Sequence, residues 1–287
     1  MICRHGWRLG GVFLLLLGCV LPGSGATVYS IFFDDRFGSL DSTTASYTQI
    51  GTLPIAQAAG IGALGGILYV QSMQGELLTV NPVTGASTVV GNADLSSTSE
   101  IFSGGADGLF EFDSQSKLYS INSTTGAATL IGATGLPANN GGWDTSISQD
   151  GTDLFVTAGG GGKIDELYEI NTITGKAVDL GSTGVSGIAG SAIVGEYLDL
   201  FQYNAGTNYI YSAPVGSTDF SRGPVLSVVI VDGGVTLTSE ESFAMAAATP
   251  ESSASVLLGL GLVILGLIGR VRYLRKVESR RGTKALR

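Results

Sequence analysis

The chain has 287 residues, 44 of them glycine, and only 14% are charged, a composition of turn-rich β structure rather than helical packing. Its formal net charge of −9 understates the asymmetry: between Thr27 and Thr249 the only cations are Arg36, Lys117, Lys163, Lys176 and Arg222. Such an acidic body repels phosphate backbones, which excludes nucleic acid as a partner.

The chain opens with Arg4 and Arg8, an apolar run from Val12 to Leu21, then Pro22 and the small residues Ser24, Gly25 and Ala26. A basic start, a short apolar core and a small-residue end are the parts of a Sec secretion signal, so residues 1–26 are expected to be removed by cleavage after Ala26. Leu16-Leu17-Gly18-Cys19 offers a second reading, since it resembles a lipoprotein lipobox with Cys19 as the acylated residue. Cys3, Cys19 and the only histidine, His5, all fall in this segment. The mature body is therefore expected to lack disulfides, thiolate or imidazole zinc sites, and Cys-His or Ser-His-Asp nucleophiles.

From residue 27 to 243 the sequence repeats. GSLDSTTASYTQIG (38–51), LLTVNPVTGASTVVG (77–91), LYSINSTTGAATLIG (118–132) and LYEINTITGKAVDLG (167–181) align. Asp41, Asn81, Asn122 and Asn171 then share one position, at spacings of 40, 41 and 49 residues. Each copy reads as a β-hairpin. The Asn or Asp side chain can accept from backbone two residues on, and Gly85, Gly126 and Gly175 supply the positive φ of the turn, where the first copy has Ala45. Further strands precede the hairpins: IGALG and ILYVQS, GLFEFDS, and TSISQ with DLFVTA. A diverged fifth unit contains LDLFQYN and YIYSAP, followed by SVVIVDGGVTLTS, a hairpin around Asp232-Gly233-Gly234. Four strands in about 40 residues is the size of one propeller blade. The fold class is thus all-β, a β-propeller of about five four-stranded blades, with Val235 to Ser239 expected to supply the innermost strand of the first blade. The body resembles bacterial β-propellers built on LYxINxxTGxxxxIG repeats.

No cofactor is expected. Acidic glycine-rich loops suit calcium, but the Asp-x-Asp-x-Asp-Gly spacing of a dedicated site is missing. The run Gly159 to Gly162 lacks the Lys-Ser/Thr of a phosphate loop and reads as an insertion between strands. Asp34, Asp35, Asp107, Asp144, Asp150 and Asp153 could serve acid-base glycan chemistry without histidine, or simply sit in turns. Trp143 could stack on a sugar ring or pack between blades, and Tyr197, Tyr203, Tyr209 and Tyr211 carry the same ambiguity.

Residues 244–253 read as a linker containing Pro250-Glu251, residues 254–269 as a Gly/Leu-rich transmembrane helix, and residues 270–287 as a basic cytoplasmic tail led by Arg270, Arg272, Arg275 and Lys276. Sixteen helical residues cover roughly 24 Å, short of a hydrocarbon core of about 30 Å, so the flanking arginines must snorkel. The basic cluster places the tail inside and the body outside. Pro-Glu, a short glycine-punctuated apolar segment and a terminal Arg cluster together resemble a PEP-CTERM sorting signal over Thr249 to about Arg281, with Ser252 where a second proline is usual. An ordinary tail anchor is the alternative. The resemblance implies recognition by an exosortase, display at the cell surface or in the extracellular matrix, and association with exopolysaccharide. The body would then be a non-catalytic binding module, with a carboxylate-based glycan hydrolase or lyase as the rival.

Overall fold

The computed structural model describes residues 27–247 apart from 33, 42–43, 45, 96–98, 106, 137–144, 151–152, 160–162, 205–206, 221–224, 233–234 and 237–242. The signal, Pro250 and Glu251, the apolar run, the basic tail, Asp144 and Trp143 lie outside the described residues. Among the described residues there is no α-helix, and none long and apolar enough to cross a membrane.

Every repeat folds as an antiparallel four-stranded unit. The second holds β4 (Ala58–Leu64), β5 (Ile67–Ser72), β6 (Glu76–Val80) and β7 (Ser87–Asn92). The third holds β8 (Ser99–Gly105), β9 (Gly108–Asp113), β10 (Lys117–Ile121) and β11 (Ala128–Ala133). The fourth holds β12 (Thr145–Asp150), β13 (Asp153–Ala158), β14 (Ile164–Asn171) and β15 (Ala177–Ser186). The fifth holds β16 (Ile188–Val194), β17 (Tyr197–Asn204), β18 (Thr207–Pro214) and β19 (Val225–Asp232). The first has β1 (Thr27–Phe32), β2 (Arg36–Asp41) and β3 (Ser46–Thr52), and its remaining strand comes from the far end of the body: β21 (Phe243–Ala247) pairs with β1, Val28 opposite Ala247 and Phe32 opposite Phe243.

Two expectations are corrected here. Val235 to Ser239 does not supply the missing strand, because Val235–Thr236 (β20) folds back on β19, with Asp232 opposite Val235, and that register holds it against the strand it has just left. The body also runs past residue 243, since β21 occupies positions assigned to the linker.

Both faces of a unit are covered, so the burial pattern along a strand is not a simple alternation. On β10, Leu118 (0% exposed) and Ile121 (5%) are buried in different clusters. Each junction has its own apolar layer. Ile31, Phe37, Ile61 and Val70 join the first unit to the second, and Tyr69, Leu77, Phe102 and Leu109 the second to the third. Phe110, Phe112, Leu154 and Val156 join the third to the fourth, and Phe155, Leu167, Leu198 and Leu200 the fourth to the fifth. The last layer joins the fifth unit to the first: Phe201, Ala192 and Ile210 pack against Val28, Phe32, Leu40 and Tyr47. Full burial of each such aliphatic or aromatic side chain is worth about 1.5–3 kcal/mol, before entropy is set against it.

The inner strands adjoin one another, β4 beside β8, β8 beside β12, β12 beside β16, and β21 beside both β16 and β4. Their approach is close: β4 and β8 pair in parallel at Gly60 and Phe102, and a Cβ on Gly60 would stand 2.3 Å from the Phe102 carbonyl oxygen. At the outer edge, the fifth unit is tied to the first by β19, whose Val229 and Ile230 pair in parallel with Ser46 and Tyr47 of β3.

Candidate functional site

The strand order gives each unit two ends. At one, here the turn end, lie the turns joining first to second and third to fourth strands. At the other, the clamp end, lie the turns joining second to third strands and the links to the next unit.

The turn end carries the repeated hairpins. Asn122 Oδ1 accepts from Thr124 N (2.9 Å) and Thr125 N (3.0 Å), while Gly126 N donates to the Asn122 carbonyl (2.8 Å) with φ 76°. Asn81 accepts from Val83 N and Thr84 N, with Gly85 following, and Asn171 from Ile173 N and Thr174 N, with Gly175 following. Asp41 Oδ1 accepts from Thr44 N in the first copy. These side chains are occupied in replacing a strand's missing backbone partners, which is a structural duty.

The clamp end carries a second repeat that the sequence alignment missed. Asp35 O accepts from Leu53 N (2.8 Å), Gly75 O from Ala93 N (2.8 Å), Ser116 O from Thr134 N (3.1 Å) and Asp165 O from Thr183 Oγ1 (2.7 Å). The separation is 18 residues in every case (53 − 35, 93 − 75, 134 − 116, 183 − 165). In the first three units the bond ties the second-to-third-strand turn to the link leaving the same unit, and in the fourth it joins the start of β14 to β15. In two units the carboxylate also reaches the next inner strand: Asp35 Oδ1 accepts from Ala58 N (3.2 Å) at the start of β4, and Asp165 Oδ2 from Ile188 N (3.0 Å) at the start of β16. The available signal was the triplet Asp35-Arg36-Phe37, Gly75-Glu76-Leu77, Ser116-Lys117-Leu118 and Asp165-Glu166-Leu167, a turn former, a charge and a buried apolar residue.

Among the described residues, the carboxylates considered for chemistry do not gather at one end of the units. Asp34 and Asp35 lie at the clamp end, where Asp34 pairs with the Arg36 guanidinium, itself 5.0 Å above the Phe32 ring. Burial raises the Asp35 carboxyl, opposed by the amides of Ala58 and Gln57. Asp107 belongs to the β8–β9 turn, and Asp150 and Asp153 are register partners at the β12–β13 turn, all at the turn end. Among the described residues no three His, Cys, Asp or Glu side chains come together as a metal site.

Other polar groups are buried at the junctions. Gln71 Nε2 donates to Glu111 Oε2 (2.8 Å) between the second and third units, both residues fully buried. Asp113 Oδ1 accepts from Gln115 N and Lys117 N, and its Oδ2 from the Tyr119 hydroxyl (3.0 Å). Burial, with that hydrogen bond to Asp113, pushes the Tyr119 phenol up to about 12. Asp199 is 6% exposed, accepts from Ser212 Oγ, and burial pushes its carboxyl up to about 6 against the lowering effect of that bond. Glu111 was not identifiable in advance, because its partner Gln71 comes from the neighbouring unit. Of the tyrosines in the fifth unit, Tyr209 and Tyr211 lie 6.3 Å apart with tilted rings, and Tyr211 donates to Gln202.

No protein-family model matches the chain, and no curated protein matches it. Among solved structures, it is similar to a chain of a nidogen/laminin complex at 10% identity, with a TM-score of 0.49 over 77% of this chain and 98% of that one. It is also similar to BamB from Moraxella catarrhalis at 15% identity, with a TM-score of 0.34 over 72% of this chain and 59% of that one. At these values neither likeness adds to what the strand pairing shows.

Proposed function

We propose that the chain is an exported surface or extracellular-matrix protein whose body is a closed five-bladed β-propeller serving as a non-catalytic binding module for exopolysaccharide. It is delivered by the Sec machinery, held first in the inner membrane by residues 254–269, and then processed by an exosortase-type enzyme at Pro250-Glu251.

The observation that carries the propeller reading is the apolar layer of Phe201 and Ile210 against Val28 and Phe32, which joins the last unit to the first. Propellers bind through the loops at the ends of their blades, so the fold suits a display module without fixing a reaction. The non-catalytic reading draws support from the separation of Asp34 and Asp35 from Asp107, Asp150 and Asp153 at opposite ends of the blades, since two carboxylates must flank one bond to cleave a glycoside. The sorting reading rests on the order of Pro250-Glu251, the apolar run and the Arg270 to Lys276 cluster.

C-terminal peptide sequencing of the surface form from a host with an exosortase tests the delivery. The mature protein should lack the residues from about Val256 onward, and replacing Pro250 and Glu251 should leave it membrane-bound at its signal-cleaved length. Retention of Arg270 to Lys276 in the wild-type surface form would make the segment a plain anchor. Binding of the purified body to exopolysaccharide from the same host, with no release of reducing ends, tests the module. Glycan cleavage lost on an Asp→Asn change would make the body an enzyme.

A further inference from the structure

Both chain connections leave the body at one place. Val28 pairs with Ala247, so the start of β1 and the end of β21 lie side by side on neighbouring strands. β1 runs toward the clamp end, where Asp35 meets Leu53 and Ala58, so Thr27 and Ala247 both belong to the turn end. The six residues 248–253 separate Ala247 from the apolar run, a reach of at most about 20 Å.

The turn end also presents apolar side chains to solvent. Ile67 (47% exposed) and Tyr197 (50%) directly follow the first-to-second-strand turns of the second and fifth units, and Val83 (81%) and Ile173 (77%) stand on the Asn-x-x-Thr-Gly turns. Isolated exposed hydrophobics are ordinary, and Ile164 (53% exposed) lies at the clamp end, but these four share an end with the point where the chain departs toward its apolar segment. Aliphatic tips and a tyrosine suit the headgroup boundary of a bilayer.

We infer that, while the tail holds the protein in the membrane, the turn end lies against the bilayer surface and the clamp end faces outward as the side offered to ligands. This rests on the membrane reading of residues 254–269. The outward side would then be formed by the turns at Asp34-Asp35, Gln74-Gly75 and Gln115-Ser116 and the links beside them. Asp107 and Glu196 are exposed at the turn end, so a zwitterionic lipid is the appropriate probe.

Because Cys3 and Cys19 fall within residues 1–26, the signal-cleaved chain from Thr27 to Arg287 accepts a single label cleanly. Ile67→Cys and Tyr197→Cys place a donor fluorophore at the turn end, and Gln74→Cys and Lys163→Cys place it at the clamp end. Each protein is reconstituted into phosphatidylcholine vesicles carrying an acceptor on the headgroup, and flotation is scored before energy transfer. The expected result is flotation of all four proteins, with a larger loss of donor emission at positions 67 and 197 than at 74 and 163. Flotation with equal or reversed losses overturns the orientation and leaves the anchor standing. Failure to float overturns the anchor, and the orientation with it.

Discussion

Gly91 on β7 lies against the turn of the following unit so closely that a Cβ on it would stand 1.9 Å from the Thr125 carbonyl oxygen. The same contact recurs more loosely, between Gly132 and the Thr174 carbonyl at 3.4 Å, and between Gly51 and Gly85 at 4.0 Å. The last glycine of the first three repeats is thus where one unit's outer strand receives the next unit's hairpin, whereas Gly181, which ends the fourth, meets nothing within 4 Å. Gly91→Ala should destabilise the body by about 1–3 kcal/mol through overpacking, with Gly132→Ala milder and Gly51→Ala close to neutral. Chemical denaturation of the three variants checks the order, and equal effects would remove the packing explanation.

The Asp199 carboxyl titrates inside the folded protein. Burial raises its pKa from the ordinary 3.8 to about 6, so between these values the native state binds more protons than the unfolded chain. Stability therefore falls as pH rises from about 4 through about 6, by up to about 3 kcal/mol from this group alone. Asp199→Asn keeps an amide that can still bond Ser212 Oγ and should flatten the wild-type pH dependence over that window. Parallel slopes for the two proteins would show that Asp199 is not the group responsible.

The hairpin Asn residues can be tested singly. Asn122→Ala leaves the amides of Thr124 and Thr125 without their acceptor at an exposed turn, a loss of about 1 kcal/mol, whereas Asn122→Asp retains it. Thermal unfolding should place Asn122→Asp near wild type and Asn122→Ala below it.

What was legible in the sequence was local. An Asn that caps its own turn and a Gly at positive φ four residues later are fixed by neighbours in the chain, so the hairpins at Asn81, Asn122 and Asn171 stood out. The inner strands were harder, because they meet backbone to backbone and favour small residues over the β-branched and aromatic ones that mark a strand. Ile188–Val194, IAGSAIV, was not recognised as the inner strand of the fifth unit for that reason. Phe243–Ala247, FAMAA, which pairs with β1, carries a weaker strand signal than the Val and Thr of Val235 to Ser239. Glu111 and Asp165 gave no warning, because their partners, Gln71 and Ile188, are distant in the chain.

The pairing of β21 with β1 carries both the proposed propeller closure and the proposed orientation at the membrane, and a cross-link measures it directly. Val28 faces Ala247 and Tyr29 faces Ala246, and successive antiparallel pairs alternate between hydrogen-bonded and closer non-hydrogen-bonded geometry. One of the double variants Val28→Cys/Ala247→Cys and Tyr29→Cys/Ala246→Cys thus falls within disulfide reach. In the signal-cleaved protein, otherwise free of cysteine, mild oxidation should close that pair within one molecule. Absence of a bond in both variants, together with efficient bonding of Val28→Cys to Val235→Cys, would contradict closure by β21.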